Sequence, residues 1–173
     1  YMYSNTCLLY KKGWSGINID INQTSIDLFN IARPKDTNIC AAISDTSKEV
    51  DFFEDDILGP VNTIDNKMYE KSKGIFFKKG IVKKVKTFTV FDIISENTLY
   101  ETTDFLNIDA EGSDYKIISQ IDLKKSNINL VAIETHDPNG NQLDSFHNIS
   151  KYFENNQYFV HKKIGPTTLY TKK

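Results

Sequence analysis

The chain has 173 residues, 39% hydrophobic and 25% charged, with a formal net charge of −2. That length fits about one domain of roughly 150 residues, and plentiful Ile, Val, Leu and Phe beside a near-zero net charge argue against disorder. No apolar run approaches the ~20 residues of a membrane helix, an isoelectric point near 5.9 argues against a dedicated nucleic-acid binder, and the only two cysteines, Cys7 and Cys40, read as reduced core thiols.

The start, Tyr1-Met2-Tyr3, is neither an initiator nor a secretory signal, and a cytoplasmic location is expected. Ser4-Asn5-Thr6 ahead of Cys7 and Gly13 after Lys12 predict a short helix over 5–12. Trp14 to Asp20 reads as an apolar strand ending in an acid. Asn22 to Ser25 cap a helix that carries Ile26, Leu28, Phe29 and Ile31 and stops at Pro34. Residues 38–44 form an uninterrupted apolar run, the mark of one buried parallel strand. The middle changes character: 50–53 and 81–87 alternate with period two and suggest half-exposed antiparallel strands. A polar helix over 64–73 ends at Gly74, and a turn or two of helix follows over 90–96. Buried strands return at 104–109 and 129–134, with helices over 113–120 and 143–154. Tyr158 to His161 and Thr167 to Tyr170 flank the turn Ile164-Gly165-Pro166. This alternation predicts an α/β domain with a mainly parallel sheet and a last pair of strands that must be antiparallel. Without an internal repeat or linker, 1–173 reads as one domain, with 46–90 as an inserted strand and helix region.

In such a sheet, ligands bind beyond the C-terminal ends of the strands. Three acids stand at such ends: Asp20, Asp109 and Glu134. Asp20 suits a ribose diol, because a carboxylate accepts from two adjacent hydroxyls, or it caps the helix after it. Asp109-Ala110-Glu111-Gly112 is the densest acidic feature. Its carboxyls suit a cofactor ammonium, an Mg²⁺ or a hydroxyl proton, or else they cap the helix near Ser113. His136, two residues past Glu134, is either a base or a solvated loop residue, whereas His147 and His161 read as structural or surface residues. Lys78, Lys79, Lys83, Lys84 and Lys86 form a basic stretch, either guarding an exposed sheet edge or facing an anionic substrate.

Several segments, in order, resemble the FkbM family of S-adenosylmethionine-dependent methyltransferases. They are Ser4-Asn5-Thr6, Lys12 to Asp20 with Asn22, Ala41 to Asp45, Val85 to Thr89, Asp104 to Gly112, and Leu130 to Glu134. The Asp-x-Glu-Gly after an apolar strand is the strongest of them. The resemblance implies a class I, Rossmann-like methyltransferase fold with helices on both faces of the sheet. It implies methyl transfer to an oxygen, on a sugar, glycan or natural product. Asp20 would hold the cofactor ribose, although the family usually has Glu there. Ile21, Ser44 and Asp45 would lie at the adenine, and Asp109 beside the methionine part and the reacting centre. Glu111, Glu134 and His136 are the substrate-side candidates. An Mg²⁺ is permitted by the residue set but is not established by the family pattern. The family's first strand and glycine-rich loop would precede Ser4, and the first of the eight glycines here is Gly13. The domain is therefore expected to be N-terminally incomplete. Two alternatives remain open at this level: a non-catalytic remnant of the fold serving as an interaction module, and another nucleotide-binding, sugar-modifying transferase. Neither nucleic acid nor membrane is an expected partner.

Overall fold

A computed structural model describes residues 4–55, 62–75, 80–96 and 103–172. The chain divides into two compact units, Tyr1–Phe88 and Thr89–Lys173. Lys78 and Lys79 of the basic stretch lie outside the described residues.

The first unit opens with α1 (Cys7–Lys11), β1 (Ile17–Asp20), α2 (Gln23–Ala32) and β2 (Thr37–Cys40). Asn22 starts α2 by accepting the Thr24 N–H on its side-chain oxygen at 2.8 Å, which satisfies a helix-start donor that has no partner inside the helix. The helix ends before Pro34, whose ring cannot continue it. α2 carries the chain back so that β2 pairs parallel with β1, Ile17 opposite Thr37 and Asp20 opposite Cys40. β3 (Ala42–Ile43), β4 (Glu49–Glu54), α3 (Asn66–Ser72) and β5 (Ile81–Phe88) complete this unit.

The apolar run over 38–44 is not one strand. It divides at Ala41, whose N–H donates to the Asp20 carbonyl at 3.0 Å, while the Ser44 N–H donates to the Phe88 carbonyl at 2.9 Å. Its first half follows β1 and its second half follows β5 in another sheet. Periodicity reports apolar faces but not a change of hydrogen-bonding partner. The antiparallel pairing expected in the middle is present: β4 runs against β5, with Asp51 opposite Lys84 and Glu49 opposite Lys86. The Lys84 ammonium meets the Asp51 carboxylate at 2.8 Å, Lys83 pairs with Glu54, and Lys86 lies over the Phe88 ring at 5.2 Å. The basic side chains of β5 are thus answered mainly by acids on its neighbour.

The second unit contains α4 (Val90–Glu96), β6 (Phe105–Ile108), α5 (Asp114–Ile118), β7 (Leu130–Glu134), α6 (Phe146–Asn155), β8 (Tyr158–Ile164) and β9 (Thr167–Lys172). Its strands lie in the order β6-β7-β9-β8. β6 and β7 are parallel, and β9 is antiparallel to both β7 and β8. β7 and β9 are the inner strands, and on β7 Val131, Ala132 and Ile133 are at most 1% exposed, as a strand covered on both faces must be. One apolar cluster joins Ile108, Ile118, Val131, Ile133, Ile149 and Phe153 with four further buried residues. Phe153 stacks on Tyr170 with ring centroids 3.9 Å apart.

The α/β class and the C-terminal antiparallel hairpin agree with the sequence, but the sheets are mixed rather than mainly parallel. Among the described residues, β1–β2, β3–β5 and β6–β7 are parallel, and β4–β5, β7–β9 and β8–β9 are antiparallel. The sheets are mixed because β9 lies between β7 and β8 and opposes both, and because β4 opposes β5; for the hairpin the physical reason is connection length. Gly165, at φ +57°, and Pro166 return the chain after a two-residue turn, which can only place β9 antiparallel to β8.

Candidate functional site

In the second unit the acids converge. Ile108 is register partner to Ile133, so Asp109 and Glu134 stand side by side where the parallel strands β6 and β7 end. The chain leaving β6 then makes a sharp turn, with Glu111 at φ +47° and Gly112 at φ +93°. Glycine adopts the left-handed region freely, whereas for Glu111 it costs on the order of 1–2 kcal/mol. The turn is held from behind by Asp114. Its Oδ1 accepts the Ala110 N–H and its Oδ2 the Gly112 N–H, both at 3.2 Å.

The electrostatics follow from this crowding. Burial, then the negative charges of Glu134, Asp109 and Asp114, push the Glu111 carboxyl from the ordinary glutamate value to about 8. Burial, then Asp109 and Asp114, push Glu134 to about 8 as well. Burial raises Asp114 only to about 6, because its bonds from the Ala110 and Gly112 amides favour its ionised form. Asp109 stands on the exposed rim of the group, and the surrounding protein also raises its carboxyl above the usual range. Asp114 therefore ionises before the two glutamates as pH rises. Strongly coupled groups of this kind titrate as a pair rather than singly.

His136 leaves β7 two residues after Glu134 but is not a solvated loop residue. It is 7% exposed, and its Nδ1 lies 2.8 Å from the Thr135 hydroxyl. That hydroxyl is 2.6 Å from the Thr168 hydroxyl on β9, and both threonines are buried. The Phe146 ring meets the imidazole edge-on at 5.3 Å. Burial, reinforced by the Lys163 charge and opposed by Asp137, lowers its proton affinity, so the ring is neutral near pH 7. His147 and His161 are both exposed.

The remaining candidates belong to the first unit. Asp20 ends β1, half-buried, and Oδ1 accepts the Asn22 N–H at 2.8 Å. Burial raises its carboxyl, while bonds from the Asn22 amide and the Ser25 side chain oppose that rise. A carboxylate offers about four acceptor positions, so two internal bonds leave capacity for a diol. Ile21 is half-buried, and its carbonyl accepts from the Cys40 thiol at 3.5 Å. Ser44 is 4% exposed and donates to Asp45 Oδ1 at 3.2 Å, while Asp45 itself is exposed. Cys7 is buried as expected of a core thiol. Cys40 is exposed, because it occupies the strand end opposite Asp20 rather than the strand interior.

Asp109, Glu111, Glu134 and His136 thus share one strand edge in the second unit, and Asp20, Ile21, Ser44 and Asp45 belong to the first. Sequence reasoning gave Asp114, Thr135 and Thr168 no role. An Asx turn takes the amide two residues ahead, whereas Asp114 takes amides two and four residues behind it, so no familiar local pattern signalled it. The two threonines are joined only through strand pairing, which no local pattern carries. Among the described residues, no group of three or more His, Cys, Asp or Glu side chains is arranged to hold a metal ion. Nor does any helix among them have the length and apolar character to cross a membrane.

A family model described as the methyltransferase FkbM domain matches residues 1–160. No curated protein and no solved structure matches the chain.

Proposed function

Because the chain belongs to the FkbM methyltransferase domain family, we propose that it transfers a methyl group from S-adenosylmethionine to a hydroxyl oxygen of a sugar, glycan or natural product. The observation that carries the reading is the gathering of Asp109, Glu111 and Glu134 at the paired ends of β6 and β7. A hydroxyl loses its proton as its oxygen is alkylated, and a base of matched proton affinity assists that loss. Carboxyls raised to about 8 are stronger bases than ordinary ones, and they are close to neutral pH.

The donor set fits the cofactor in kind. Asp20 offers a carboxylate with remaining acceptor capacity to a ribose diol, Ile21 an apolar surface and Asp45 an exposed acceptor to the adenine end. When bound, S-adenosylmethionine supplies a methyl group already activated by the sulfonium sulfur. In this reading the ionised member of the Glu111–Glu134 pair takes the hydroxyl proton on a carboxylate oxygen, and its protonated partner orients the hydroxyl by hydrogen bonding. The neutral imidazole of His136, fixed through Thr135 and Thr168, lines the acceptor side.

The experiment is calorimetric titration of the full-length protein with S-adenosylmethionine, beside an Asp20→Ala variant. Binding is expected, weakened about tenfold or more by the substitution, since a charged hydrogen bond contributes roughly 1.5–3 kcal/mol. Absence of binding, together with thermal stabilisation by nucleotide sugars but not by S-adenosylhomocysteine, would move the assignment to a sugar-modifying nucleotide-binding transferase.

A further inference from the structure

The side chain that organises the acidic turn is not one that faces the acceptor. Asp114 is the first residue of α5 and is fully buried. The residue before it, Ser113, makes no side-chain capping bond to the helix. The Asp114 carboxylate bends back instead, and its two oxygens take the N–H groups of Ala110 and Gly112. Those amides flank Glu111, the one non-glycine residue of this turn with a left-handed backbone.

We propose that Asp114 is a positioning residue: its ionised carboxylate grips the amides on both sides of Glu111 and so holds the turn that sets the Glu111 carboxyl beside Glu134. This rests on the reading of Glu111 and Glu134 as the proton-handling pair. A buried carboxylate needs donors, and two converging backbone amides supply them. The requirement is for both oxygens as acceptors. An asparagine at this position accepts on one side only and turns its NH₂ toward the other amide. Charge matters as well as shape. The groups acting on Glu111 are Glu134, Asp109 and Asp114, and those acting on Glu134 are Asp109 and Asp114. Asp114 is common to both and ionises first, at about 6 against about 8 for the glutamates. The positioning residue thus also adds its charge to the burial that chiefly raises the proton affinity of the pair.

The test is a nuclear magnetic resonance titration of the full-length protein, following the glutamate side-chain carboxyl carbons and the backbone amides. In the wild-type chain, the Ala110 and Gly112 amide protons are expected to shift together with one midpoint near 6, the ionisation of the carboxylate they bind. In Asp114→Asn the paired shift is expected to vanish and the Glu111 and Glu134 midpoints to fall below about 8. Ala110 and Gly112 amide protons that do not shift together at any pH of the titration overturn the proposal, and this arm decides even if the variant does not fold. A folded Asp114→Asn with unchanged glutamate midpoints also overturns it. Calorimetry with S-adenosylmethionine on the same wild-type sample separates the two readings. Titrating amides without cofactor binding keep the positioning role and remove the methyltransferase chemistry. Binding with silent amides does the reverse.

Discussion

In the second unit ten buried side chains, from Ile108 on β6 to Tyr170 on β9, form one apolar cluster. Among the described residues, the apolar cluster of the first unit is a stack of Phe53 on Tyr69 with centroids 4.0 Å apart. Beside separate buried apolar residues such as Ile26 and Phe52, the first unit buries a polar network. Arg33, 3% exposed, donates to Ser4 and Thr6 hydroxyls at 2.7 Å each and to Asn18 Oδ1 at 3.3 Å, and it lies over the Phe29 ring at 4.9 Å. Asp36 continues the network by accepting from the Gly16 N–H and the Asn18 amide. Thr87, fully buried, donates from its hydroxyl to the Thr46 carbonyl at 2.6 Å and accepts from the Lys48 N–H. The contrast teaches that an apolar interior and a directional polar network fail differently. The first loses free energy in proportion to the volume removed, the second when any one partner is stranded.

The largest expected effect is in the apolar unit. Phe153 is fully buried between Tyr170 and Tyr158, and Phe153→Ala is expected to cost about 4 kcal/mol from lost burial and the cavity left behind. Urea unfolding of the two proteins measures it. A loss below about 1 kcal/mol would show that the cluster collapses around the gap and does not hold the unit.

The polar unit gives the second test. Arg33→Leu keeps an apolar stem but strands Ser4, Thr6 and Asn18, and about 2–3 kcal/mol is expected from losing bonds to a charged, buried group. Ile31→Ala on the exposed side of α2 (Ile31 is 79% exposed) is the control and is expected to be nearly neutral. Equal losses for the two would dissolve the contrast between the units.

The same contrast explains what was legible in the sequence. The strands and helices of the second unit follow from apolar periodicity, because Val131 to Ile133 and Ile149 with Phe153 are apolar for the reason that they are buried. The acids at strand ends were legible as well, since Asp20, Asp109 and Glu134 are polar residues that end apolar runs. Less could be read in the first unit. The division at Ala41 depends on which strand accepts each amide, and Arg33 has no apolar signature at all. Exposed apolar residues such as Leu28, at 53%, and Ile31 on α2 read as core in a pattern but are not. Within the site, Glu111 was legible from the Asp-x-Glu-Gly spacing. The buried character of His136 was not, because Thr168 reaches Thr135 only through the pairing of β9 with β7.

The smallest expected effect is a gain, and it marks where the apolar unit departs from its own rule. Glu134 ends the most buried strand of that unit, yet carries a titratable group whose folded value is about 8. An unfolded glutamate ionises near 4.3. Between those pH values the folded chain keeps a proton that the unfolded chain gives up, so stability falls as pH rises. The contribution of the neutral carboxyl is complete below the unfolded value and is lost as pH passes through about 8. Glutamine has the same shape and no proton to lose. Glu134→Gln is therefore expected to match the wild-type chain near pH 4.5 and to be more stable by more than about 1 kcal/mol at pH 9, one unit of displacement being about 1.4 kcal/mol. Melting temperatures across pH measure the difference. Parallel curves for the two proteins would show that this carboxyl ionises in the folded state as readily as in water, and the acidic edge would then lose its claim to unusual proton affinity. A divergence that opens from about pH 4.3 and levels off near 8 would place the cost of this edge at a carboxyl that gives stability away in order to ionise late, as a base for hydroxyl alkylation requires.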